Sequence, residues 1–137
     1  MSRPRWFASI AVLLLVAPMG ANAAKLDCAK ADTQGELNIC AAKELQNAEN
    51  DLNRLRAALS KKISDPAAKA AMDEAEKAWE AYADAECRFE SSGVAGADAE
   101  QMVVAYCQVQ RARTRVNVLK RILECKEGDF TCPTLTH

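Results

Sequence analysis

The chain has 137 residues, with 18 Lys and Arg against 19 Asp and Glu, and half of it is hydrophobic while only 5% is aromatic. That charge balance argues against nucleic acid as the main partner, because binding phosphates requires a clustered basic excess. An apolar half built mostly from Ala, Leu and Val favours thin helical packing over a thick core.

The chain opens with the pattern of an export leader. Arg3 and Arg5 precede an apolar run from Phe7 to Ala17, and "PMGANAA" follows. A basic segment, a short apolar run and a small-x-small ending make a secretory signal peptide. The run is too short to span a bilayer, which takes about 20 apolar residues. Ala21 and Ala23 occupy the small positions before the cut. Cleavage is therefore expected after Ala23, giving a mature chain of residues 24–137 as one small domain. Cys28 follows Lys-Leu-Asp rather than a lipobox, so no lipid or membrane anchor is expected and the mature protein reads as periplasmic or secreted. Without Arg3 and Arg5 the acidic excess grows to a net charge near −3.

All six cysteines, Cys28, Cys40, Cys87, Cys107, Cys125 and Cys132, lie beyond the leader. An even number in a short exported chain implies a disulfide framework. No C-x-x-C pair is present, and the single histidine is His137, the last residue, so neither a redox motif nor a Cys/His metal site has the spacing it needs.

Next come three helices. Thr33 followed by Glu36 forms a capping box. From there Leu37, Ala41, Leu45, Ala48, Leu52, Leu55, Leu59 and Ile63 recur at steps of three and four, the pattern of an amphipathic helix of about 30 residues. "SDP" at 64–66 ends it and starts the second, with Asp65 as cap and Pro66 at the first helical position. The second helix carries Ala68, Met72, Ala75, Trp79, Tyr82, Glu86 and Phe89 as its stripe, which puts Trp79, Tyr82 and Phe89 in the core. It ends in "SSGVAGAD", the flexible connection of the chain. Asp98 with Gln101 caps the third helix, whose stripe is Met102, Ala105, Val109, Ala112, Val116, Leu119 and Leu123. Gly128 and Pro133 mark an irregular tail.

Three helices of roughly 31, 26 and 27 residues joined by short connections run up, down and up, each near 40 Å long at about 1.5 Å per residue. The expected fold is all-α, an elongated antiparallel three-helix bundle. This topology places Cys125 and Cys132 together at one end and the other four cysteines at the opposite end. Since bridged Cα atoms lie within about 7 Å, Cys125 pairs with Cys132 and three pairings remain among the rest. Cys28–Cys40 with Cys87–Cys107, which joins neighbouring segments, is the favoured one.

In order along the chain stand Cys28, Ala31, Thr33, Gln34, Glu36, Leu37, Asn38 and Cys40, then Leu52 and Asn53. Trp79, Tyr82, Asp84, Ala85, Glu86 and Cys87 follow, then Cys107, Arg115 and Leu119. This ordered set resembles the LprI-like lysozyme inhibitor family of small exported bacterial proteins, over residues 27–123. Two positions depart from the family pattern: Ala83, where Arg usually follows the aromatic residue, and Arg56, where Tyr is frequent. The resemblance implies a protein partner, a lysozyme-type cell-wall hydrolase whose cleft the chain blocks, with no cofactor and no catalysis of its own. A non-inhibitory envelope adaptor that binds another exported protein is the alternative.

Two surface features are candidates for the contact. Asp73, Glu76, Glu80 and Asp84, three or four apart, form an acidic stripe that suits a basic partner such as a lysozyme, although such stripes are most often plain solvated faces. The "SSGVAGAD" connection, with Gly93 and Gly96, is the candidate for the part entering a cleft, against its ordinary use as a helix connection. Arg111, Arg115 and Lys120 are expected to solubilise an outer face or to pair with acids of the second helix. Asn53 has no role legible from its position alone.

Overall fold

The computed structural model describes residues 26–126 and 128–133. The leader, its cut and His137 lie outside them. Three helices follow in order: α1 Gln34–Lys62, α2 Pro66–Glu90 and α3 Glu100–Leu123. They contain 29, 25 and 24 residues, each slightly shorter than the periodicity alone predicts. The described residues contain no strand, and the fold is all-α.

The helix ends follow local chemistry. The Thr33 hydroxyl accepts from the Glu36 N–H at 3.3 Å, while the Glu36 carboxylate accepts from the Thr33 N–H at 3.2 Å. This closes the capping box on two otherwise unsatisfied donors. Lys61 and Lys62 occupy the last turn of α1, where cations favour the helix dipole. The Asp65 carboxylate accepts from the Ala68 N–H at 2.9 Å with Pro66 just inside α2. The start of α3 differs from the expected cap. Ala99 is the N-cap and no side chain caps it. Successive i→i+3 backbone bonds (Val94 N–H to Ser91, Ala97 to Val94, Glu100 to Ala97) wind the chain directly into the helix. The Glu100 carboxylate instead reaches back to the Gly96 N–H at 2.7 Å.

Cys87, near the C-terminus of α2, bridges Cys107, near the N-terminus of α3, so these helices are antiparallel. The Gln34 amide contacts the Met102 sulfur at 3.7 Å, so the N-terminal ends of α1 and α3 lie side by side. The core sits between α1 and α3: Ala48, Leu52, Leu59 and Ile63 face Val109, Ala112 and Leu119. Both stripes fall where the three-four spacing puts them. The backbone of α2 runs closer to α3 than to α1, which it meets through side chains such as Arg56 with Glu76 and Glu80. The bridges are Cys28–Cys40, Cys87–Cys107 and Cys125–Cys132, with Cα separations of 5.6, 5.5 and 5.9 Å.

The α2 stripe requires a correction. Its buried residues are Glu76, Ala83 and Cys87, with Trp79 half-buried, whereas Tyr82 is 57% and Phe89 77% exposed. The inward line runs 76, 79, 83, 87, stepping four residues from Trp79 to Ala83 where the aromatic pattern steps three to Tyr82. The bridge from Cys87 to Cys107 holds that face against α3, which turns Tyr82 and Phe89 to solvent.

Candidate functional site

The acidic stripe of α2 divides into parts with different roles. Asp73 is exposed, whereas Glu76 is only 7% exposed and belongs to the interior. Its Oε2 accepts from Nε of Arg56 on α1 at 2.6 Å, and its Oε1 accepts from Nη2 and Nε of Arg115 on α3 at 2.5 and 3.0 Å. One carboxylate thus links all three helices, and it is not part of an open attractive face. Glu80 stands at the edge of this cluster, 2.5 Å from Arg56 Nη1. Asp84 pairs with Arg88 one turn along the same helix.

The guanidinium carbons of Arg56 and Arg115 lie 5.5 and 6.0 Å from the centroid of the Trp79 ring, within cation–π range. The planar fork of Arg, with its weak hydration, suits such a stacked, half-buried place better than Lys would. Arg115 is therefore an internal cation rather than part of an outer face. Arg111 joins Glu86 at 2.9 Å and Glu90 at 2.5 Å, a second clamp between α3 and α2. Lys120 is exposed. A hydrogen bond with Glu86 raises the Tyr82 phenol above its ordinary value of 10.0.

Beside the Arg56 contacts, a groove of ≈410 Å³ opens between α1 and α2. Gln108 and Ala112 of α3 form its floor. Leu45, Glu49, Leu52, Asn53 and Arg56 line the α1 side, and Trp79, Glu80, Ala83 and Asp84 the α2 side. Both departures from the family pattern, Arg56 and Ala83, line this one groove. Arg56 contributes a cation from α1, and Ala83 a buried methyl from α2. Asn53, without a legible role in sequence, is an exposed wall residue here. Glu49 and Gln108 also belong to the lining, and sequence reasoning missed them because neither lies on a stripe or in a motif.

The connection between α2 and α3 is ordered rather than loose. Ser92–Val94 forms a 3₁₀ turn, Ser91 is buried, and Gly96 takes φ +77°, a left-handed conformation that suits glycine. The Asn38 side-chain amide donates to the Asp98 carbonyl at 3.0 Å, tying this tip to α1. Gly93 and Gly96 are both exposed, and no neighbour within 4 Å would meet a Cβ at either. Among the described residues no cluster of Cys, His, Asp and Glu is arranged to hold a metal, and no helix is long and apolar enough to cross a membrane.

A family model described as Lysozyme inhibitor LprI matches residues 27–119, which takes in the bridged α1 start, the groove and the Glu76 cluster. An uncharacterised protein of Rhizobium meliloti (strain 1021) is 30% identical over 129 residues, covering 85% of this chain and 93% of its own length. No solved structure matches. The chain belongs to the LprI family, described as lysozyme inhibitors.

Proposed function

We propose that the chain is exported, loses residues 1–23 and, as a single oxidised domain in the periplasm or outside the cell, binds a lysozyme-type cell-wall hydrolase and blocks its cleft. The family match across residues 27–119 carries this reading. The tip at residues 91–99 supports it. Consecutive backbone hydrogen bonds and the Asn38–Asp98 contact hold it, and Cys28–Cys40 and Cys87–Cys107 lie directly behind. A tip already ordered in the free protein loses little further entropy on entering a cleft. Its exposed Asp98 suits the basic surface of a lysozyme.

A wall-lysis assay tests the proposal. Purified protein should slow the clearing of Gram-positive cell walls by a c-type lysozyme. Asp98→Lys and a chain shortened between Ser92 and Ala97 should lose that effect while keeping their helical circular dichroism. Wild-type protein that slows no class of lysozyme would sink the proposal in favour of a non-inhibitory envelope adaptor.

A further inference from the structure

The groove between α1 and α2 presents polar groups that the fold leaves unused. The Glu49 carboxylate and the side-chain amides of Asn53 and Gln108 have no hydrogen-bond or ion-pair partner among the described residues. Glu49 and Asn53 are exposed and Gln108 is half-buried, so a polar occupant of the groove can replace water in hydrogen bonds to them.

The charge in the groove has a definite sign. Glu49, Glu80 and Asp84 line it against Arg56; Glu80 pairs with Arg56 and Asp84 with the exposed Arg88, which leaves Glu49 as the lining acid without an ion-pair partner among the described residues. Such a lining concentrates cations. The Trp79 ring is already engaged by two guanidinium groups, so the groove lacks the free aromatic platform on which a sugar ring would stack. Primary amides beside carboxylates match an extended polypeptide that brings its own amides, carbonyls and a basic side chain.

We propose that the α1–α2 groove docks an extended cationic segment of the partner hydrolase. The segment's main chain pairs with the amides of Asn53 and Gln108. A Lys or Arg side chain lies between Glu49 and Asp84, whose present partner Arg88 is itself exposed. This rests on the reading of the chain as a hydrolase-binding inhibitor, and it adds a second contact beside the tip.

Two measurements test the groove. In the first, isotope-labelled protein is titrated with the blocked peptide Gly-Arg-Gly-Lys-Gly, with its uncharged Gly-Gln-Gly-Gln-Gly counterpart and with a chito-oligosaccharide. The charged peptide alone should shift the side-chain amide signals of Asn53 and Gln108 and the Trp79 indole N–H, and Glu49→Lys should abolish those shifts. Equal shifts from the uncharged peptide, shifts from the oligosaccharide alone, or no shifts with millimolar charged peptide would each overturn the proposal. In the second, binding to a c-type lysozyme is measured. Glu49→Lys should weaken it about tenfold or more. Undiminished binding by Glu49→Lys alongside loss in Asp98→Lys would remove the groove and leave the inhibitor reading intact. A wild-type chain that takes the charged peptide but blocks no lysozyme would support the groove and refute the inhibitor.

Discussion

Replacing Glu76 with Gln keeps the shape of the side chain and removes its charge, which isolates what the carboxylate contributes at the junction of the helices. Arg115 would be left without an acid partner among the described residues, with its side chain only 19% exposed. Arg56 would keep Glu80 at 2.5 Å. Removing one partner of a buried ion pair typically costs about 3–5 kcal/mol. Because Arg56 retains an anion and both guanidinium groups keep some contact with water, the lower end applies, about 3 kcal/mol. For a domain of this size that corresponds to a fall of roughly 12 °C in melting temperature. The assay is thermal and urea unfolding followed by circular dichroism, at low and at 1 M salt. Salt should change the difference little, since it screens buried pairs far less than exposed ones. A triple replacement, Arg56→Met with Glu76→Leu and Arg115→Met, should recover most of the loss, because an apolar set of similar volume avoids the desolvation of three charges. A Glu76→Gln protein within about 0.5 kcal/mol of wild type would refute the assignment of Glu76 as the organising anion.

Trp79→Ala should cost about 3 kcal/mol, the low end for truncating a large aromatic because the ring is half-buried, whereas Phe89→Ala should fall within about 0.5 kcal/mol; similar unfolding midpoints for the two would contradict the rotated α2 face. Without reductant the protein should contain no free thiol on the described residues, and peptide mapping should recover the three bridges. Loop-closure entropy makes Cys87–Cys107, 20 residues apart, worth about 3.3 kcal/mol and Cys125–Cys132, 7 apart, about 2.4, an order that single-bridge variants would reverse if the tail bridge anchored the bundle. Hydrogen bonds, chiefly from the Thr33 backbone N–H, hold the Glu36 carboxyl below its ordinary value of 4.5. A carboxylate depressed by folding contributes stability that is present above its unfolded value and lost as pH falls through the folded one. The first turn of α1 should therefore fray only in acid below that value, and an NMR titration midpoint for Glu36 at or above 4.5 would overturn the cap assignment.

The parts of the fold written in local chemistry were readable from sequence. Thr33 with Glu36, and Asp65 with Pro66, mark helix starts through side-chain-to-backbone bonds that need no partner elsewhere. The α1 and α3 stripes are regular enough to indicate their buried faces. α2 misled because a small inward residue, Ala83, sits next to a large outward one, Tyr82, and side-chain size outweighs position in any hydrophobic pattern. Glu76 reads as a solvated acid for a related reason. Its partners Arg56 and Arg115 lie 20 and 39 residues away, on helices whose relative rotation the spacing does not encode. The groove was the least legible feature, since its lining comes from three helices whose relative rotation no local motif encodes.

The order of the bridges bears on how the chain is made. Each cysteine is joined to the next one along the chain: 28 to 40, 87 to 107, 125 to 132. The principal core, by contrast, joins α1 to α3 across the whole of α2. On the proposed export route, N-terminus first, an oxidase finds the correct partner as the only free thiol already out, provided that each bridge closes before the following cysteine emerges. The covalent framework can thus be completed in order of synthesis, before the distant core has closed, with no wrong bond to undo.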